Sequence, residues 1–487
     1  MKWRMVHDPP IMLYLAYLMD RFHYVPYQDF FDFNMPGTYL IHLIIGKFFG
    51  YGDFGFRCFD LLYLGGILAI TWFWLKKISW KVAWCSSVLF GLVYLGYGPY
   101  MSMQREFLII LPVSTALVVS YSFPKFSDVL KFSMVGFLFG LAATIKPQGA
   151  LGFPLVLLYR AWDVKGHENG KHASSAQFFQ ILLFSLVGFA LPIIAMLAYL
   201  WQAGALPYFF DMVKNYLPLY SSLSGGHQTL FGFDRTLYLI RGFQSLGFYD
   251  LWLMPGAIGA FISLFHSSLT HAQRRQVGLL IGLVILYGIY PVFAGKFWTY
   301  HYLIFCYFVV LLSSLCFVEQ RKRSNKFEGF FPIIIIVLVI FLRVITPLKL
   351  MDQIRVLREV PKVERVDEIA GYLKSYVKPG DKVQPLDWTG GAVHAMLITK
   401  AQIATPFVYD FHFYHHISSQ YIQNLRRRFL ERLNASRPRF IIQIWTDKPW
   451  VSGFDTTKKF EKLQGLLNVN YSVVFKGKGY VIYERIR

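Results

Sequence analysis

The sequence predicts an all-α polytopic membrane helix bundle with an extracytoplasmic α/β domain at its carboxyl end. Three observations predict it. The 487 residues are 55% hydrophobic and only 16% charged, well below the roughly 25% charge of a soluble domain. Apolar runs of membrane-spanning length recur between residues 59 and 347. From residue 348 onward the composition turns charged and mixed.

Taken in order, the runs are 59–75, 82–100, 106–121, 129–145, 149–160, 179–202, 251–267, 277–294, 302–318 and 329–347. Each must be helical, because lipid offers no partner to a free backbone group. The net charge of +21 points away from nucleic acid, since its bases sit between spans. Alternate loops hold Lys76, Lys77 and Lys81; Lys125 and Lys131; Arg160, Lys165 and Lys171; Arg274 and Arg275; Arg321, Lys322, Arg323 and Lys326. The positive-inside bias makes that set cytoplasmic. The other loops then face outward: Arg105–Glu106, Lys146, the long loop 203–250 and Lys296–His301.

By the same parity, residues 1–58 lie outside as a loop with amphipathic juxtamembrane helices. "MKWRMVH" is too short for an export signal, so one further span is expected upstream. The bundle is assigned to 59–347 and the outer domain to 348–487. Within the latter, "VDEIAGYLKSYV" ending at "KPGD" reads as a helix and turn. "KVQPLDW" and "RFIIQIW" read as strands, and "YSVVFKGKGYVIYERI" as a hairpin. Cys58, Cys85, Cys306 and Cys316 show no spacing for disulfides or zinc. Asn434-Ala-Ser and Asn470-Tyr-Ser match the glycosylation tripeptide, a pattern common by chance.

Ionisable residues at membrane depth are costly and therefore informative. Asp8, in "HDPP", suits a general base at the membrane boundary; its plain alternative is a helix N-cap. Glu106, in "MSMQREFLIILP", suits a second carboxylate, with Arg105 beside it as a phosphate ligand; an interfacial salt bridge is the alternative. Lys146, in "TIKPQ", either meets a phosphate or snorkels to headgroups. Lys296 and His301, in "AGKFWTYHYLI", form a cationic and aromatic cluster or an aromatic belt. Asp29 and Asp32, in "YQDFFDFNMPG", fit a sugar or a divalent ion. A metal site would need Asp8, Asp29, Asp32 and Glu106 to converge. His412, His415 and His416 lack a zinc pattern and read as surface residues.

An acid before a short helix, then "VPYQDFFDFNMPGTYLIHLIIGKFFGYGDFGFRCFDLL", an outward "QRE" and a "TIKPQ" turn together resemble the GT-C superfamily of polytopic glycosyltransferases. The nearest members are bacterial proteins similar to protein O-mannosyltransferases and aminoarabinose transferases. Gly50, Phe54 and Arg57 are among the clearest marks. The resemblance covers residues 8–320 as architecture and is specific in 8–150.

It implies a polyprenyl-phosphate-linked sugar donor and an acceptor hydroxyl on a lipid, glycan or protein, joined with inversion at the outer face of a bacterial inner membrane. Asp8 matches the family's base and Glu106 its second acid. Family members bind the lipid phosphate with basic residues, a role that falls here to Arg105 and Lys146 first and to Lys296 and His301 after them; Tyr27, Asp29, Asp32 and Gln104 are the expected sugar or acceptor ligands. Two departures stand out. Asp8-Pro9 replaces an Asp-Glu pair, and Asn34-Met35-Pro36-Gly37 stands where aminoarabinose transferases carry Lys-Pro-Pro. No glycine-rich nucleotide loop appears, and none is needed when the leaving group is already a phosphate. A secondary transporter or flippase, and a non-catalytic envelope scaffold, are the other classes compatible with this many spans. Transporters usually place their acids near the midplane in repeated halves, and neither feature is seen here.

Overall fold

The computed structural model describes residues 3–122, 126–167, 175–319, 334–340, 362–445 and 451–486. They divide into two compact units. One joins Met1–Phe59, Leu197–Leu239 and Gln353–Arg487; the other joins Asp60–Met196 and Ile240–Asp352. Lys125, Lys171, the bases at 321–326 and the junction near 347 lie outside the described residues.

In the second unit, helices stand where apolar runs predict them. These are α3 (Asp53–Leu75), which enters from the first unit, α4 (Trp80–Gly96), α5 (Arg105–Ser122), α6 (Asp128–Ile145), α7 (Gly152–His167) and α8 (Ser175–Gln202), followed by His271–Ala294 and Thr299–Phe317. Among the described residues, Asp53–Leu75, Asp128–Ile145, Phe178–Gln202, His271–Ala294 and Thr299–Phe317 are long and apolar enough to cross a membrane. Of the run 329–347, residues 334–340 are described and helical.

Two expected straight spans are different. The run 251–267 is the second arm of a bent pair, Gly232–Phe248 and Asp250–Phe265, angled by 66°. Leu246, Gly247 and Phe248, at φ 41°, 62° and 68°, make the break, and glycine takes such a conformation at no steric cost. The run 149–160 begins as a single 3₁₀ turn, Pro147–Leu151, before α7 starts.

Small residues set the helix spacing. A Cβ on Gly136 or Gly140 of α6 would strike the carbonyls of Ser185 or Phe189 on α8, and one on Gly188 would strike that of Ser133. In lipid no hydrophobic effect draws helices together, so backbone proximity at small residues carries the packing. The outer side of α8 stays apolar and uncovered, with Leu186, Val187, Leu191 and Ile194 exposed as a lipid-facing surface. Thr299–Phe317, by contrast, is almost wholly buried.

The first unit corrects one expectation. Helix α1 (Pro9–Phe22) is not amphipathic at an interface: every residue from Ile11 to Leu18 is buried. Its sequence "IMLYLAYL" is apolar around the whole circumference, and such a helix needs cover on all sides. That cover comes from α2 (Pro36–Phe49) and the Ala392–Thr399 helix near the carboxyl end of the unit. Tyr14, inside this packing, donates its hydroxyl to Ala401 O at 2.7 Å.

The carboxyl-terminal part of this unit is built on a five-stranded mixed sheet. Strand β1 (Gln228–Thr229), from the 197–239 loop, pairs apart from it with β5 (Ser452–Gly453). The sheet proper runs β3 (Gln402–Ile403), β2 (Lys382–Leu386), β4 (Phe440–Ile444), β7 (Tyr480–Arg485), β6 (Tyr471–Gly477). The first three are mutually parallel and the last two form the predicted antiparallel hairpin. The predicted helix appears as Lys362–Tyr376.

The three histidines read as surface residues are buried. They take up the 197–239 loop: His412 Nδ1 meets Tyr216 Oη at 2.5 Å and His416 Nε2 meets Ser222 Oγ at 2.9 Å.

Two tests follow from this packing. Gly140→Val should drive α6 from α8 at a cost of about 1–3 kcal/mol, read as a lower melting temperature in detergent, while Gly278→Ala, at a position with open space, should not. Burial pushes the His412 imidazole from its ordinary 6.5 down to about 3. The unfolded chain therefore binds a proton below pH 6.5 that the folded chain refuses. Stability falls by about 1.4 kcal/mol per pH unit between these values. His412→Gln should flatten that slope in melts from pH 7 to 4.

Candidate active site

His7 and Asp8 lead into α1. His7 sits at φ 65°, a region sparse for non-glycine residues and common at functional sites. Asp8 follows at the helix N-cap, and Pro9 and Pro10 fill the first two helical positions. Prolines have no N–H, so the second helical position has no donor for a capping carboxylate. The next donor, Ile11 N, is taken by the Asp8 carbonyl at 3.0 Å, as is Met12 N at 3.1 Å. The Asp8 carboxylate accordingly makes no capping bond. It lies 3.0 Å from His7 Nδ1, with 15% of the side chain exposed. Asp8 thus occupies the N-cap position without a side-chain capping bond.

The chain ahead of Asp8 is clamped. Arg57 donates to Trp3 O at 3.0 Å and to Arg4 O at 2.9 Å. Asp53 accepts from Met5 N at 2.7 Å and pairs with Arg4, which also reaches Asp367 at 2.7 Å. Arg57 appears in the sequence only as a family mark. Its physical work is to hold the strand that presents Asp8.

Tyr27, Asp29 and Asp32 wire the next loop. Asp29 accepts from Val25 N at 2.8 Å and closes a turn. Asp32, fully buried, accepts from Phe33 N at 2.8 Å, Asn34 Nδ2 at 2.9 Å and Tyr39 Oη at 2.6 Å. Tyr27, at φ 68°, donates to Asn34 O at 2.5 Å. The four acids do not converge on a metal: among the described residues no group of three or more His, Cys, Asp or Glu is placed to hold one.

In the other unit, Gln104, Arg105 and Glu106 begin α5 after Met103, itself at φ 52°. Gln104 donates to Tyr100 O at 3.0 Å and its carbonyl receives Phe107 N and Leu108 N. Glu106 is completely buried. Its Oε1 pairs with Lys146 Nζ, receives Tyr290 Oη at 3.2 Å and lies 3.5 Å from His301 Nε2. Its Oε2 is buried without a hydrogen-bond partner among the described residues.

Lys146 is thus not snorkelling. It leaves the end of α6 in an extended conformation and its ammonium lies 5.2 Å from the Tyr290 ring centre. His301 is oriented by the Lys296 carbonyl at 2.9 Å, and Lys296 is itself buried. Glu106, Lys146 and His301 are therefore brought together.

Tyr290 was missed from the sequence. Tyr287 and Tyr290 are three apart on one helix, and both hydroxyls serve the 146–152 turn or its partner: Tyr287 donates to Gly149 O at 2.8 Å. That spacing inside an apolar run was the available signal.

No family model matches the sequence, and no curated protein matches it. Solved structures do. The apo form of ArnT from Cupriavidus metallidurans superposes with a TM-score of 0.60 at 11% identity, covering 99% of this chain and 95% of that one. The same protein bound to undecaprenyl phosphate gives 0.56 at 9% identity, covering 99% and 94%. The chain has the GT-C fold. With identities this low the likeness is one of architecture, and it extends through the bundle and the carboxyl-terminal sheet of a multi-pass membrane protein. Within the GT-C fold, the acids at 8 and 106 are built differently, one partly exposed and the other wholly enclosed.

Enclosure gives a test. Lys146→Ala leaves Glu106 charged and unmatched in a dry site, at a cost of about 3–5 kcal/mol. The double variant Glu106→Gln/Lys146→Met, which removes both charges, should recover most of the lost melting temperature.

Proposed function

We propose that the protein is a membrane glycosyltransferase that moves a sugar from a polyprenyl-phosphate donor to an acceptor hydroxyl at the outer face of a bacterial inner membrane. The observation that carries this is Asp8: a partly exposed carboxylate presented at the start of α1 by a segment that Arg57 and Asp53 hold in place. A fold shared with a protein that binds undecaprenyl phosphate supports it.

The acceptor oxygen attacks the anomeric carbon while the bond from that carbon to the phosphate oxygen breaks. Asp8 takes the acceptor's proton, as general base. The bonding electrons leave with the phosphate, and a single displacement inverts the centre. Lys146, with Arg105, Lys296 and His301, offers the cations that such a leaving group requires. Glu106 keeps Lys146 in place, and its uncommitted Oε2 suits a donor hydroxyl. Asn34, standing where a lysine marks aminoarabinose transferases, is tied to Asp32, which counts against an aminoarabinose donor.

Purified protein should release polyprenyl phosphate from one member of a panel of polyprenyl-phosphate sugars. Asp8→Asn should lower that rate by about 10²–10⁴-fold with an unchanged melting temperature. Release from no donor, with wild-type stability in the variant, would favour transport or scaffolding.

A further inference from the structure

We propose that the groove between α3 and α4 is a binding site for one anionic phospholipid, with an acyl chain in the groove and the phosphate at Lys76 and Lys81. This goes beyond the transferase reading and does not rest on it.

The shape of the groove follows from residue size. Small residues line it where the helices approach: Ser87 donates to Leu68 O at 3.1 Å, and a Cβ on Gly91 would meet Leu68 Cδ1 at 3.4 Å. Large ones line it elsewhere, with Trp72 and Phe73 on α3 and Trp84 and Val88 on α4. They enclose about 460 Å³ of apolar space. Phe73, Trp84 and Val88 are about half exposed. Helix α3 is long and apolar enough to cross a membrane, and α4 is a shorter apolar helix, so hydrocarbon is the medium that fills this space. An acyl chain gains no hydrophobic free energy by moving there from the bilayer, because lipid tails are as apolar as the side chains. The choice among lipids therefore falls to the head group.

The charge beside the groove is of one sign. The chain carries no Asp or Glu between Asp60 and Glu106, whereas Lys76, Lys77 and Lys81 stand in the connection from α3 to α4 and the first turn of α4. That connection is fixed. Lys77 donates its ammonium to Tyr121 O at 3.3 Å, and its carbonyl accepts from Gln273 Nε2 at 2.8 Å. Lys76 and Lys81 are exposed, and neither is in an ion pair among the described residues.

The ammonium of Lys76 joins the two features. An ordinary interfacial lysine reaches away from the apolar surface toward water. Lys76 Nζ instead lies 4.4 Å from the ring centres of both Trp72 and Phe73, the aromatic residues that line the groove on α3. Cation–π attraction holds it there. Lys81 Nζ lies 6.0 Å from the ring centre of Trp80. A cationic rim on an apolar groove between two membrane helices matches an anionic head group joined to a hydrocarbon chain.

The test uses full-length protein in detergent, incubated with equimolar palmitoyl-oleoyl phosphatidylglycerol and the matching phosphatidylcholine, with bound lipid counted by native mass spectrometry. Wild type should retain phosphatidylglycerol over phosphatidylcholine by about 25-fold, from about fivefold per lysine. Lys76→Gln/Lys81→Gln should bring that ratio to about one. Ala69→Trp, on the exposed lining of the groove, keeps both lysines and fills the space, and should lose the phosphatidylglycerol adduct at an unchanged melting temperature. Equal retention of the two lipids by wild type would overturn the site, as would an unchanged preference in the lysine variant, whose two positions are exposed and do not threaten folding. Full phosphatidylglycerol binding by folded Ala69→Trp would overturn the groove as the seat of the chain. Displacement of phosphatidylglycerol by equimolar polyprenyl phosphate would overturn the phospholipid as occupant.

Discussion

A carboxylate buried away from water must be matched or it will not stay ionised, and that constraint organises this molecule. Glu106 meets it with an ammonium, a phenol and an imidazole from three helical segments. Asp32 meets it with Phe33 N and Asn34 from its own loop and the Tyr39 hydroxyl of α2. Asp387 meets it with backbone N–H groups alone. There burial still raises the carboxyl above its usual range, and the neighbouring Asp410 adds to that. Each solution freezes a stretch of chain, because losing one partner would leave a charge stranded.

Asp8 stands apart from these three. It stands at the N-cap of α1 without a side-chain capping bond: Pro10 has no N–H to give, and Ile11 N goes to the Asp8 carbonyl. Arg57 and Asp53 hold the backbone ahead of it through Trp3 O, Arg4 O and Met5 N. Asp32, in the same compact unit, is instead wired through its own oxygens.

Much of this was legible in the sequence, for a simple reason. Lipid forces backbone groups to pair within a helix, so an apolar run declares itself, and most helices of the second unit lie where the runs do. Periodicity could not say what covers a helix. Helix α1 reads as an interfacial element until Ala401 and its neighbours are seen against it. His412 and His415 look exposed because they are polar, yet aromatic rings enclose them, Phe31 and Tyr216 among them. The break at Gly247 was hidden because a glycine in an apolar run is common. At the candidate site, Asp8, Glu106, Lys146 and His301 could be chosen from their chemistry. Tyr290 could not be separated from core aromatics, and the reason for Arg57 lay in carbonyls 53 and 54 residues away.

The way the first unit is assembled ties these points together. It draws its parts from the beginning, middle and end of the chain. Arg4 meets Asp367 across 363 residues and Tyr14 meets Ala401 across 387. Closing such loops costs entropy that only extensive burial can offset. The all-apolar face of α1 supplies that burial. An amphipathic α1 would leave residues 3–8 to be held by the turn at Asp53 alone. With α1 enclosed, the segment bearing Asp8 is tied to the carboxyl-terminal part of the unit: Arg4 meets Asp367, and Asp53, which holds Met5 N and Arg4, lies 3.4 Å from His394. Changes in the packing around His394 should therefore reach residues 4–8 through Asp53 and Arg4.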